Sequence, residues 1–292
     1  MITNHEPAEA MHEKVVSGLR MTRERLAGLD VEEFIIPELY KPSRYILGAE
    51  GKMLRPALVF MGSIYAGNDS IDEVVDIATA VELLHTSSLI HDDIIDQDNK
   101  RRGVASTHVK YGTNLAILAG DALISSAIQR ISGYGQDMIN AMARTAMEMA
   151  AGEALDAKFQ RSGTVPTIEQ YKKIARLKSA SLISTSSCIA AMYKGREHVR
   201  PLAEFGMHFG IAFQIRDDID DFIENEEDAL LHPNAVRSIM KSGTGEKKAL
   251  AMAAKMNIEY IKRGLAALDP KRRGIFEQYV AQMLMDQHDL EH

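Results

Sequence analysis

Along this chain the apolar positions recur at intervals of three and four residues, not two. In "IDEVVDIATAVELLHTSSLIHDD" (71–93), Val74, Ile77, Ala78, Val81, Leu84 and Ser88 fall on one side of a helix. Comparable segments run over about 54–66, 113–130, 137–160, 167–194, 198–223, 247–266 and 271–286. Turn signals separate them: "AGNDS" (66–70), "SGYGQD" (132–137), "RSGTVPT" (161–167) and "KSGTG" (241–245). Strand-like alternation is missing, and no linker splits the pattern. The pattern predicts one all-α domain over residues 1–292, with about ten helices, several of them long.

Composition changes that picture little. Apolar residues make up 46% of the 292 and easily supply a core, and sixteen methionines suit helix–helix packing. A net charge of −7 argues against nucleic acid as a partner. The single cysteine, Cys188, excludes an intrachain disulfide, suits a reducing compartment and reads as a small core residue. The polar N-terminus lacks a signal-peptide core, and no run approaches the roughly 18 apolar residues of a spanning helix. A cytoplasmic protein with no membrane anchor is the expectation. The runs "ENEED" (224–228) and "KRRG" (271–274) read as solvated charges.

Charge placement changes it more. "LIHDDIIDQDNKRRGVAS" (89–106) and "FQIRDDIDDF" (213–222) each end an apolar run in closely spaced aspartates. At 3.6 residues per turn, Asp92, Asp93 and Asp96 adjoin on one helix face, as do Asp217, Asp218 and Asp221. Like charges at that spacing repel, and burying them unpaired is costly. Such carboxylates need cations, and hard oxygen ligands favour Mg2+, which commonly bridges protein carboxylates to substrate phosphates. Cationic side chains suited to phosphate lie nearby in sequence, at Arg101 and Arg102, Lys52 and Arg55, and Lys178. A di-iron reading of Glu82-Leu-Leu-His85 is weaker, because that chemistry needs the motif twice.

These residues carry a resemblance. In order, "GKMLRP" (51–56), "ELLHTSSLIHDDIIDQDNKRRG" (82–103), "HVKYG" (108–112), "AILAGDAL" (116–123), "GE" (152–153), "KSASL" (178–182) and "FQIRDDIDD" (213–221) resemble the trans-isoprenyl diphosphate synthases, or polyprenyl synthetases. The resemblance implies an isoprenoid-synthase helical bundle around a central active-site cavity, usually a homodimer. It implies head-to-tail condensation of isopentenyl diphosphate with an allylic prenyl diphosphate. Carried over residue by residue, Asp92, Asp96 and Asp217 would bind Mg2+, on the order of three ions with substrate present. Asp93, Asp218 and Asp221 would support them. Arg101 and Lys178 would clamp the allylic diphosphate, with Gln214 orienting it. Lys52, Arg55, His85 and Arg102 would hold the diphosphate of isopentenyl diphosphate.

The same resemblance puts chain length under control of residues ahead of Asp92. Ser87 and Ser88 are small there, and Leu84 and Val81 lie one turn deeper as a candidate floor. This favours a product longer than farnesyl, about C25–C40, with C20 next. Three departures stand out. Val104, Ala105 and Ser106 replace the usual residues after Arg-Arg-Gly, and Asp156 stands where glutamine is common. The usual basic loop beyond the second cluster is replaced by "DFIENEEDALLHPNAVRSIMKSGTGEKKAL" (221–250), with no assignable substitute among Lys241, Lys247 and Lys248. Rival readings are a regulatory subunit of a two-component synthase, a terpene cyclase and a head-to-head synthase.

Overall fold

The computed structural model describes residues 8–49, 51–68, 70–224 and 232–285. Parts of "ENEED" and of the segment 221–250 therefore lie outside the described residues. Thirteen α-helices are present among the described residues: α1 (Ala8–Ala27), α2 (Pro37–Leu47), α3 (Leu54–Tyr65), α4 (Val75–Ile95), α5 (Thr107–Tyr111), α6 (Thr113–Ile131), α7 (Gln136–Ser162), α8 (Ile168–Ala175), α9 (Ser181–Tyr193), α10 (Val199–Glu224), α11 (Ala235–Met240), α12 (Glu246–Ala267) and α13 (Gly274–Met285). The excess over ten comes mainly from pieces too short to show a period, α5 and α11, and from a π-helical turn, Arg176–Ala180, that divides 167–194 into α8 and α9.

Local chemistry sets several boundaries. Thr167 and Gln170 form a reciprocal capping box that starts α8. The Asn234 side chain accepts from the backbone N–H groups of Val236 and Arg237 and starts α11. The expectation of no strands needs one correction. A hairpin of β1 (Lys100–Arg101) and β2 (Val104–Ala105) follows α4, antiparallel, with Arg101 opposite Val104. Its two turn residues, Arg102 and Gly103, have φ of 52° and 79°, the left-handed pair that a two-residue hairpin turn requires.

The core is helix against helix: α4 lies along α6, α9 between α3 and α10, and α12 on the far side of α10. α3, α4 and α9 are buried almost all round, with Leu58, Phe60, Ile77, Leu83 and Ile189 fully enclosed. A smaller apolar cluster, including Tyr171, Ile215, Phe222, Val236 and Ile239, joins α8, α10 and α11. Two glycines fix the π-helical turn. A Cβ on Gly152 of α7 would fall 2.3 Å from the Lys178 amide nitrogen, and one on Gly210 of α10 would fall 2.5 Å from Cα of Ala180. Only a missing side chain lets both helices close on that turn, which aims Lys178 between them.

α6 and the turn after it are apolar over a long stretch. By length and composition alone, residues Thr113–Tyr134 would pass for a spanning helix, with mean hydropathy 1.2 and 39% of an 18-residue window buried inside the protein. Scattered polar residues hide this when only unbroken apolar runs are sought.

Candidate active site

The ends of α4 and α10 meet across a cavity of about 510 Å³. Its wall brings together Asp92, Asp96, Arg101, Lys178, Gln214, Asp218 and Asp221 of the predicted set, and adds Asp98, Asp156, Glu224 and His232. Burial pushes the Asp92 carboxyl up to about 7; Lys178 opposes this, while Glu153 and Asp96 add to it. Asp217 is likewise pushed up to about 7 by burial and by Asp218, Asp221 and Asp220, with Lys52 drawing it back. Asp217 does not belong to that wall.

The middle aspartate of each cluster is an anchor. Asp93, 1% exposed, accepts from Arg101 Nε at 2.6 Å, and Asp98 accepts from an Arg101 terminal nitrogen at 2.7 Å. Burial raises the Asp93 pKa, and Arg101 offsets part of that rise. Burial opposes charging Arg101, but Asp93 and Asp98 outweigh it and hold its pKa above the ordinary value. Asp218, 4% exposed, accepts from Gln214 Nε2 at 2.9 Å and from the Ala235 amide at 2.8 Å, and its carbonyl accepts from Asn234 Nδ2 at 2.8 Å. Burial pushes Asp218 up to about 6, and Tyr171, Gln214 and the Ala235 amide hold back a larger rise.

Lys178 Nζ lies 2.6 Å from Asp156 Oδ2 and 2.8 Å from Glu153 Oε2. Burial disfavours its charge, yet Asp156, Asp92 and Glu153 outweigh that and hold its pKa above the usual lysine value. The Asp156 departure thus has a structural consequence: an anionic partner on Lys178 in place of an amide. Gln214 is also committed, accepting from Ser179 Oγ at 2.5 Å while donating to Asp218.

A second cation cluster stands apart from this wall. An Arg55 guanidinium nitrogen lies 2.9 Å from His85 Nε2, and Arg102 reaches to 3.8 Å from Glu82 and 3.4 Å from the Ala49 carbonyl. Burial, then Arg55, Arg102 and Arg101, hold the His85 pKa well below its ordinary value. The ring is therefore neutral and accepts from Arg55, leaving Nδ1–H buried without a partner. Burial brings Arg55 down to about 10 against the pull of Glu82. Lys52 is exposed, and its charge acts on Asp217.

Beneath the acidic wall lies a second cavity, about 530 Å³, between α4, α6 and α7. Ser87, Ser88 and Leu84 line it from α4, Ile124 from α6, and Ala146 and Met149 from α7. Asp92 and Lys178 border both cavities. Val81 is fully buried below and does not line it.

Several site residues were not singled out from the sequence. Glu153 stands only within the dipeptide Gly152-Glu153, Asp98 is the fourth aspartate of the first run, and Tyr171, Asn234, His232 and Gln160 carry no signal of their own. Gln160 Nε2 donates to Asp96 Oδ1 at 3.1 Å and pairs with His232 Nδ1 at 2.8 Å. Of the candidate substitutes for the basic loop, Lys241 donates to the Val165 carbonyl at 2.5 Å and lines neither cavity, and Lys247 and Lys248 are exposed on α12.

An all-helical bundle with two aspartate-bearing helices facing each other over joined polar and apolar cavities defines an isoprenoid-synthase type of protein. The family model for polyprenyl synthetase matches residues 36–230, and the chain belongs to that family. It is 36% identical over 197 residues to a short chain isoprenyl diphosphate synthase of Methanocaldococcus jannaschii, covering 65% of this chain and 59% of that one. A geranylfarnesyl diphosphate synthase of Methanosarcina mazei is 34% identical over 236 residues, covering 79% and 77%. The match spans about three fifths of the length of the first of these relatives. Among solved structures, an isoprenoid synthase family member from Thermotoga neapolitana superposes with a TM-score of 0.78 at 26% identity, covering 94% of this chain and 99% of that one. A geranyltranstransferase from Thermotoga maritima gives 0.76 at 28% identity, covering 97% and 100%.

Proposed function

We propose that this protein is a prenyltransferase that extends an allylic prenyl diphosphate with isopentenyl diphosphate, head to tail, giving an all-trans product. The observation that carries the reading is the junction at Asp92 and Lys178 of an acidic cavity with an apolar one. A diphosphate ester with a hydrocarbon tail has the same two-part character. Relatives with names such as geranylgeranyl and geranylfarnesyl diphosphate synthase support it.

Mg2+ is the cofactor that the donor set fits. Among the described residues no three candidate ligands stand close enough to hold an ion alone. Mg2+ tolerates this, because it takes water and phosphate oxygens alongside one or two carboxylates. Asp92 on α4 and Asp96 just past its end, with Asp217 and Asp221 on α10, would hold it, and burial that lifts Asp92 and Asp217 to about 7 marks a place short of positive charge. When bound, Mg2+ would supply Lewis-acid stabilisation of the departing diphosphate. Arg101 and Lys178 would share that task, both held in place by acids before substrate arrives. Lys52, Arg55, His85 and Arg102 would seat isopentenyl diphosphate, placing its double bond toward C1 of the allylic partner. The apolar cavity would hold the tail and keep water from the allylic cation.

The cavity depth bears on length. From Asp92 to Leu84 is eight residues of helix, about 12 Å at 1.5 Å per residue. An all-trans isoprene unit has four main-chain bonds of about 1.5 Å and advances about 5 Å. That depth takes about two to three units along α4, so a product longer than C15 needs the tail to run on between α6 and α7, past Ile124, Ala146 and Met149. An exposed apolar face on α6, Ile117, Leu118 and Ile128, supports a homodimer. Reaction with Mg2+, labelled isopentenyl diphosphate and dimethylallyl, farnesyl or geranylgeranyl diphosphate, followed by mass analysis of the dephosphorylated products, tests the proposal. A ladder ending at one length beyond C15 is expected. No elongation from any primer would leave the regulatory-subunit reading standing.

A further inference from the structure

The acidic cavity has few donors to spare for an anionic ligand. Arg101 is turned onto Asp93 and Asp98, and Lys178 onto Glu153 and Asp156. Gln214 is spent on Ser179 and Asp218. One further side chain on the wall has a ring nitrogen that meets no partner among the described residues: His232.

The geometry fixes which nitrogen carries the proton. The Gln160 amide touches both Asp96 Oδ1, at 3.1 Å, and His232 Nδ1, at 2.8 Å. A carboxylate only accepts, so the nitrogen end of the amide must face Asp96, and the same NH2 group then donates its second hydrogen to His232. Nδ1 is thereby the acceptor, and in the neutral ring the proton sits on Nε2. His232 thus offers an N–H donor two hydrogen bonds away from Asp96.

The backbone holds this arrangement. Pro233 biases His232 toward an extended conformation. Arg237 donates to the His232 carbonyl at 3.3 Å. Asn234 and the Ala235 amide tie the next residues to Asp218. The stretch "HPNA" (232–235) is therefore pinned to the second aspartate helix, while its first side chain is pinned through Gln160 to the first.

We propose that His232 is a diphosphate-binding residue of this chain: its Nε2–H donates to an oxygen of the diphosphate in the acidic cavity, with Gln160 as the positioning residue that sets its tautomer. The inference rests on the proposed prenyl diphosphate chemistry. It supplies a donor where the sequence lacks the basic loop usual after the second aspartate cluster, and it needs neither Lys241, Lys247 nor Lys248.

Calorimetric titration of the protein with inorganic pyrophosphate in the presence of Mg2+ tests it, alongside elongation assays. His232→Ala is expected to weaken pyrophosphate binding about tenfold or more, the effect of a hydrogen bond to a charged group. His232→Gln, which returns an N–H at similar reach, is expected to recover most of it. Gln160→Leu, which leaves the tautomer unset, should fall between. Lys241→Ala, off the cavity wall, should bind as the unaltered protein does. If the unaltered protein elongates and His232→Ala binds pyrophosphate equally well, the proposal is overturned while the prenyltransferase reading stands. If the unaltered protein neither binds pyrophosphate nor elongates, both fall.

Discussion

The two aspartate clusters have the same spacing but secure their middle residue by different means. Asp93 on α4 is tied by a charge, Arg101, from the hairpin that follows it. Asp218 on α10 is tied by neutral donors, Gln214 and the start of α11. In each case the middle residue is almost fully buried, at 1% and 4% exposed, and tied to structure, although Asp218 also borders the acidic cavity whereas Asp93 and Asp217 do not. The comparison teaches that a repeated motif can carry two jobs at once. On the proposed reading the outer carboxylates hold the metal, and the one between them fastens the next element of chain. A charged tie suits the hairpin because it also sets Arg101 in the cavity wall. A neutral tie suits α10 because its partner is a helix start, whose free N–H groups need acceptors.

The largest expected effect tests the division of labour. Asp92→Asn and Asp217→Asn are each expected to cut elongation by about a hundredfold or more, as loss of a metal-holding carboxylate would. Their unfolding midpoints should hold or rise, because each removes a buried carboxyl whose pKa is lifted to about 7. Equal loss of folding and activity would contradict the comparison. Next in size are the anchors. Asp218→Ala strands the Ala235 amide and Gln214 Nε2, and is expected to cost about 2–4 kcal/mol of stability in denaturant titrations. Asp93→Ala should cost a comparable amount by leaving the buried side of Arg101 unpaired. Added salt should narrow the Asp93→Ala deficit more than the Asp218→Ala one, since only the first tie is between charges. The smallest effect is Asn234→Ala, which removes the α11 cap and the bond to the Asp218 carbonyl. About 1–2 kcal/mol is expected, with the first cluster undisturbed. A circular-dichroism melt would measure it.

Much of this could be read in the residues. The period of 3.6 gave the long helices, because each buries one apolar stripe whatever its neighbours are. The aspartates, Arg101 and Lys178 could be read as a set from residue type and spacing, and Gln214 joined them through the family resemblance. The hairpin was not legible, since two-residue strands show no alternation and its turn places a non-glycine residue, Arg102, at positive φ. Nor was the inward placement of Glu153 and Asp156: which face of the 27-residue α7 meets Lys178 is settled by close contact at Gly152.

The sequence by itself determined the helical class, the acidic pairs and the cations that answer them, because periodicity and residue chemistry are local properties. Only the tertiary structure decided that Asp93 and Asp218 are anchors, that Asp92 and Lys178 join two cavities, and that His232 meets Gln160 across 72 residues. Those outcomes depend on which surfaces touch, and contact between distant segments follows from packing of the whole core rather than from any one stretch of it.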